Sequence, residues 1–224
     1  MGEEYYAYGY HSRQQQHLLQ DDELFHAKAE ASARLYFTTE EMKKTIFEYG
    51  CGIGQGIAAL PNAAGWDVSP EARDACRRRG VKVFDDLESV EPKRWDIVFC
   101  RHVLEHVCDP LGALRAMRRL IADGGELYLI LPREPHGPAD FKPDLTRHLF
   151  SWNFRTANCL LDEAGFEPYL NRVSYFLGFR VLLPLRRAAG PSVYFHAAKL
   201  VGRLLGNGEL VLRARPKSMP EVSV

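Results

Sequence analysis

Four glycines at alternate positions, Gly50, Gly52, Gly54 and Gly56, follow the short β-like run Thr45-Ile46-Phe47. Glycine admits positive φ and close backbone approach because it has no Cβ. The stretch therefore specifies a tight loop at the end of a strand, shaped to lie against a ligand. Glu48 stands just before the first glycine. A carboxylate there repels a phosphate and suits a ligand that offers donors, such as an ammonium or a hydroxyl. The spacing also disfavours one ligand class. A dinucleotide fingerprint needs G-x-G-x-x-G. Counted from Gly50 the third glycine would fall on Gln55, and counted from Gly52 on Ile57. Neither frame fits NAD or FAD. A nicotinamide-dependent oxidoreductase is the first alternative class, and a non-catalytic binding module that keeps the same fold is the second.

Strand and helix signals alternate around this loop, which implies a parallel sheet with helices on its faces. Strands are predicted at Thr45–Tyr49, Ala64–Val68, Val81–Phe84, Asp96–Cys100 and Glu126–Leu131, with a final strand at Glu209–Arg215. Helices are predicted at Pro70–Arg79, opened by the cap pair Ser69-Pro70, and at Leu111–Ile121, closed at Asp123-Gly124-Gly125. A further helix is predicted at Ser151–Ala164, closed by Gly165. Phe176–Leu205 is apolar but studded with arginines, and reads as a core-packing helix pair with snorkelling side chains. A substrate or membrane-surface platform is the other reading of that stretch.

Composition narrows the partners. Lys+Arg and Asp+Glu are equal at 29 each, which argues against a general nucleic-acid binder. The five cysteines are scattered and form no CxxC pair, so neither a disulfide framework nor a zinc site is expected, and no other metal-ligand cluster is visible in the sequence. The acidic start lacks an apolar signal core, and no window is apolar enough to span a membrane. A cytoplasmic location is the expectation.

Two further acidic positions lie where ligands bind in open α/β sheets, beyond the carboxyl ends of strands. Asp67, in Gly65-Trp66-Asp67-Val68-Ser69-Pro70, could accept both hydroxyls of a ribose. Asp86, in Asp85-Asp86-Leu87-Glu88, could accept from an adenine amino group, with Leu87 walling the base; a solvated acidic turn is the other reading.

Four elements in order, E-Y-G-C-G-I-G-Q-G, G-W-D-V-S-P, W-D-I-V-F-C-R-H-V-L-E-H-V and I-A-D-G-G-E-L-Y-L-I-L-P, resemble the class I S-adenosylmethionine-dependent methyltransferases. The resemblance is greatest to small methyltransferase domains whose fourth strand leads into a Leu-Glu-His-Val segment, and it covers roughly residues 45–170. It implies a Rossmann-like three-layer α/β sandwich with a mostly parallel seven-stranded sheet whose last strand is antiparallel. It implies S-adenosyl-L-methionine as cofactor and S-adenosyl-L-homocysteine as product. Glu48, Gly50, Gly52 and Gly54 would lie under the methionine part, Asp67 would hold the ribose and Asp86 would sit near the adenine. Cys100 and Arg101 would flank the sulfonium. The distance from Glu48 to Asp67 is shorter than usual, so the first helix should be stunted and end near Leu60-Pro61.

Residues 1–44 read as an N-terminal helical or lid segment, 45–173 as the cofactor-binding core, and 174–224 as a helical insertion with the strand that completes the domain. Tyr5, Tyr6, Tyr8 and Tyr10 could close over the cofactor, with Arg13 on its carboxylate. An oxygen acceptor would need a general base, for which histidine is suited. His148 is the first candidate, His106 the weaker one beside Glu105, and His136 a third. The implied reaction is O-methylation of a small molecule, a sugar or a lipid-linked saccharide. Peripheral membrane contact and the oligomeric state stay open.

Overall fold

The structure is a computed structural model that describes residues 14–134 and 147–218. The chain opens with α1 (Gln16–Gln20) and α2 (Asp22–Tyr36), the second capped by Asp21, whose side chain accepts from Leu24 N at 2.9 Å. Then come β1 (Ile46–Tyr49), β2 (Ala63–Trp66), α3 (Pro70–Arg78), β3 (Trp95–Arg101), α4 (Pro110–Leu120) and β4 (Ile121–Pro132). The chain continues through α5 (Phe154–Glu163), β5 (Phe166–Tyr175), α6 (Leu183–Leu204) and β6 (Gly208–Pro216).

The sheet order is β2-β1-β3-β4-β6-β5. β1, β2, β3 and β4 are mutually parallel, and β6 runs antiparallel to both β4 and β5. The sheet has six strands among the described residues, not seven. The missing one is the expected strand at Val81–Phe84, which shrinks to a single parallel bridge between Val83 and Gly65. β2 is only four residues long and offers little edge to pair with. β5 answers to no strand expected from the sequence. It is a half-exposed edge strand interrupted at Pro168, so its apolar alternation is weak.

Strand alternation divides the core in two. Ile46, Ile97, Phe99, Tyr128 and Val211 face α1, α2, α3 and α6, while Phe47, Val98, Cys100, Leu129 and Leu212 face α4 and α5. This is the three-layer sandwich. α1 and α2 belong to it, with Leu18, Leu24 and Phe25 buried in the same cluster as Ile53 and Ile57 of the glycine loop.

The first helix is shorter than expected. Residues 51–60 form turns, with three i→i−3 bonds and one α-type bond, from Ala58 N to Gly54 O at 2.9 Å. The short span between Glu48 and Asp67 leaves no room for more. α5 starts at Phe154 rather than Ser151 because Asn153 caps it in a reciprocal box with Thr156. α6 is two helical pieces broken at Gly190-Pro191, where Gly190 has φ 85°. No helix among the described residues is long and apolar enough to cross a membrane.

Candidate functional site

The ends of the sheet gather the polar residues. Parallel pairing sets Tyr49 beside Cys100 and Arg101 beside Ile130, and antiparallel pairing brings Glu209 beside Pro132. The carboxyl ends of β1, β3 and β4 and the start of β6 therefore share one edge, the ligand edge of an open α/β sheet.

The glycine loop occupies the β1 corner. Gly50 has φ 73°, and a Cβ there would collide with Val103 Cγ2. Glu48 is buried beneath the loop, and its Oε2 has no hydrogen-bond partner. Burial pushes its pKa up to about 8, against the pull of Arg101 and with added repulsion from Asp67. A carboxyl group held protonated in a low-dielectric site without a partner is poised to ionise against a cationic ligand. Asp67 follows β2 directly. Its Oδ2 accepts from Gly52 N at 2.7 Å and its Oδ1 from Ser69 N at 2.9 Å. Asp67 therefore ties the glycine loop to the start of α3. A carboxylate has about four acceptor sites, so bonding to the loop does not exhaust it. Asp86 is exposed at the rim, before a short 3₁₀ turn at Leu87–Ser89.

The pair Cys100-Arg101 divides. Period-2 alternation sends the Cys100 side chain into the α4/α5 layer, fully buried, while Arg101 faces the side that holds Glu48. Only Arg101 presents its side chain on the Glu48 face. Its Nε lies 3.8 Å from Glu209 Oε1. Glu209 also takes the Tyr36 hydroxyl and lies 2.8 Å from His102 Nε2. Burial drives the Glu209 pKa up, but His102, Arg101 and Tyr36 outweigh it and hold the carboxyl at about 2. Lys28 of α2 sits near this group, its ammonium 5.3 Å from the Phe179 ring centre. Burial and Arg101 bring its pKa down to about 7.

A second polar group lies beyond β3. His102, at φ 54°, turns the chain out of the strand. Its Nδ1 is 3.6 Å from Glu105 Oε1, and His106 Nε2 is 3.8 Å from the same oxygen. Glu105 is fully buried and neither carboxylate oxygen has a hydrogen-bond partner, so burial raises its pKa. The Glu105 carbonyl accepts from Leu149 N at 2.7 Å, which fastens the segment after residue 147 against the Leu-Glu-His turn. The His106 and His148 rings consequently meet edge to face with centroids 4.8 Å apart. His148 Nδ1 bonds the Glu134 carboxylate. One ligand atom from each of Glu105, His106 and His148 lies within 4.8 Å of the others. The sequence carries no metal motif, because His148 is distant from the other two; the fold assembles a set that could hold a cation.

Glu134, Glu209 and Lys28 are the site residues that the sequence does not reveal. Each is a common residue type with no motif around it, brought in by β4, β6 and α2 respectively. Tyr5, Tyr6, Tyr8, Tyr10, Arg13 and His136 lie outside the described residues.

Comparison with known proteins agrees with this architecture. The ubiquinone biosynthesis O-methyltransferase of Xanthomonas campestris pv. campestris is 29% identical over 167 aligned residues, covering 57% of this chain and 68% of that protein. Among solved structures, 1,6-didemethyltoxoflavin-N1-methyltransferase of Burkholderia thailandensis, with 1,6-didemethyltoxoflavin and S-adenosylhomocysteine bound, superposes with a TM-score of 0.60. The identity is 17%, over 96% of this chain and 87% of that one. Phosphoethanolamine N-methyltransferase 2 of Haemonchus contortus, solved with phosphomonomethylethanolamine and S-adenosylhomocysteine, gives a TM-score of 0.56 at 16% identity. That match covers 87% of this chain, which spans about half (53%) of the Haemonchus chain. At such identities the two structures establish the fold alone. A family model described as a methyltransferase domain matches residues 15–171, most of the length, so the chain belongs to the methyltransferase-domain family, on the class I S-adenosylmethionine-dependent methyltransferase fold.

Proposed function

We propose that this protein transfers a methyl group from S-adenosyl-L-methionine to a hydroxyl of a small molecule, with His148 as general base. The residues present fit the cofactor. Glu48 offers a buried carboxylate oxygen without a donor, suited to the amino group. Gly50 and Gly54 hold positive φ and a Cβ on them would meet Val103, or Cys76 and Val81, so only glycine keeps this loop in its tight turn, and Asp67 stands one residue past β2 for the ribose. Asp86 at the rim is the residue for the adenine, and Arg101 is the β3-end residue on the Glu48 face. When bound, the cofactor supplies an electrophilic methyl group on a sulfonium.

The observation that carries the oxygen-acceptor reading is the bond between His148 Nδ1 and Glu134. A carboxylate on Nδ1 fixes the tautomer with the proton there and leaves Nε2 as the basic nitrogen. His148 Nε2 takes the acceptor hydroxyl proton as the oxygen attacks, and Glu134 stabilises the imidazolium that results. His106 and the Glu105 turn hold the ring in place. The rest of the protein's work is to align the acceptor and exclude water. A saccharide or lipid-linked saccharide is a finer proposal for the acceptor, and the naming of the Xanthomonas relative favours a hydroxylated ring at least equally.

A second reading is favoured by the approach of Glu105, His106 and His148. A divalent cation held there would acidify a coordinated hydroxyl in place of the base. A methyl-transfer screen over hydroxylated small molecules, run with labelled cofactor in chelator and in added Mg²⁺ or Mn²⁺, separates the readings. Turnover that is indifferent to chelator supports His148 as base. Turnover that vanishes with chelator and returns with metal moves the activation step to the cation. Micromolar binding of S-adenosylhomocysteine with no acceptor ever methylated would leave the non-catalytic binding module.

A further inference from the structure

α6 presents apolar residues on two opposite faces. The inner face, Tyr194, Phe195, Ala198 and Gly202, is buried against the sheet side. Gly202 is needed there, because a Cβ would come within 2.6 Å of Phe176 N. On the outer face Val193, Leu200 and Leu204 are exposed by 45%, 58% and 75%. At 3.6 residues per turn these three fall within an arc of roughly 40°. Apolar residues singly exposed on a surface need no explanation, but a stripe at helical spacing does.

Charge says what covers the stripe. The chain as a whole is neutral, yet from Pro168 to Gly208 it contains no Asp or Glu, while Arg172, Arg180, Arg186, Arg187, Lys199 and Arg203 all lie in that stretch. Arg186 and Arg187 are matched by Glu30 and Glu23 of α2. Arg203 and Lys199 are exposed along one side of the outer stripe, Lys199 the farther from it with its ammonium 5.5 Å from the Phe195 ring centre, and neither takes part in an ion pair among the described residues. An exposed apolar stripe with cations that have no acidic partner along one side, on a helix with no acidic residue, is the pattern of an interfacial helix on an anionic bilayer. A stripe covered by a second protein copy would be met by this same basic border, which two copies would bring together in repulsion.

We propose that the outer face of α6 docks on an anionic lipid surface, with Leu200 and Leu204 in the acyl boundary and Lys199 and Arg203 at the headgroup phosphates. The docked helix braces the site. Its inner side is fastened to α2 through Arg186–Glu30 and Arg34–Ser192, and α2 carries Lys28 and Tyr36 beside Glu209. The proposal does not depend on which acceptor is methylated.

The test is co-sedimentation of the full chain with phosphatidylcholine vesicles, with and without roughly one-quarter phosphatidylglycerol. Three proteins are compared: the wild type, Leu200→Ser/Leu204→Ser, and Lys199→Glu/Arg203→Glu. Wild type should bind the anionic vesicles, weakly bind the neutral ones, and dissociate as salt rises. Reversing the two charges should weaken binding by more than roughly 30-fold, at about fivefold per cation lost with the repulsion of two new carboxylates added. Removing the two leucines should weaken it about tenfold or more at unchanged salt. Both variants replace exposed side chains, and a far-UV spectrum and melting curve like the wild type's establish that they are folded. No sedimentation with anionic vesicles, or binding that both variants leave intact, overturns the proposal. So does a lipid-free dimer that Leu200→Ser/Leu204→Ser converts to monomer, since a second copy would then own the stripe.

Discussion

The β1 corner and the β3 exit of this site are built in opposite ways. At the β1 corner the ligand-facing parts are backbone and one short run of sequence: Glu48, the glycines and Asp67 lie within twenty residues, braced by bonds that Asp67 accepts from Gly52 N and Ser69 N. At the β3 exit the parts are side chains from six places in the chain: Tyr36, Arg101 with His102, Glu105 with His106, Glu134, His148, and Glu209. The first corner is made for a ligand of fixed chemistry, which backbone shape can hold. The second is a chain of titratable groups that can move a proton. On the proposed function, cofactor binding belongs to the local half and acceptor chemistry to the assembled half.

His148→Ala tests that division most severely. It should lower turnover about 10²–10⁴-fold, the worth of a positioned general base, while calorimetry finds cofactor affinity unchanged. A matched loss of cofactor affinity would mean the two halves are one. Glu134→Gln should cost less, about 10–100-fold, in keeping with a residue that orients another. It too should spare cofactor affinity, and the pH–rate profile should shift along with the rate, which loss of packing alone would not produce.

Smaller effects are expected at the β1 corner. Asp67→Ala should weaken cofactor binding by about 1–3 kcal/mol, the cost of charged hydrogen bonds and of two orphaned backbone donors. Turnover of the saturated enzyme should change little, and a collapse of saturated turnover would blur the boundary drawn here. The remaining effect at this corner is a pH dependence at Glu48. Its carboxyl rises from 4.5 to about 8 on burial, so the folded protein keeps a proton that the unfolded chain gives up. That contribution to stability is present below pH 4.5 and is lost as pH climbs through about 8. Glu48→Gln should remove this slope. Without ligand the variant should gain in melting temperature over the wild type as the solution turns mildly alkaline, while its cofactor affinity falls. A melting difference that does not vary with pH would show that Glu48 is not the buried acid behind the slope.

The contrast between the two corners also governs how much was legible. Gly50, Gly52 and Gly54 announce a tight loop because glycine has few other reasons to recur at that spacing. Asp67 is readable from its position after a strand, and Ser69-Pro70 from cap chemistry. Arg101 and Cys100 look alike in the sequence as neighbours after an apolar run. Only the phase of the strand separates them, and the phase is fixed by which residues of β1 and β4 lie alongside. β5 was illegible for a related reason: an edge strand with one paired side needs little apolar alternation, and Pro168 breaks what there is. The Phe176–Leu205 stretch resisted reading because α6 is apolar both toward the core and toward solvent, which erases the one-sided helical pattern.

By itself the sequence determined the alternating α/β order, the glycine loop with its acidic neighbours, and through them the family. These are local properties, set by backbone freedom, capping and hydrophobic period, and they survive without knowledge of contacts. The tertiary structure decided that the expected third strand dwindles to one bridge, that the first helix gives way to turns, and that Cys100 turns from the site while Arg101 faces it. It also decided that Glu134, Glu209 and Lys28 join His148, His102 and Arg101 at one edge. Those outcomes depend on which strands pair and in what register, and register couples residues whose separation in the chain carries no local signal.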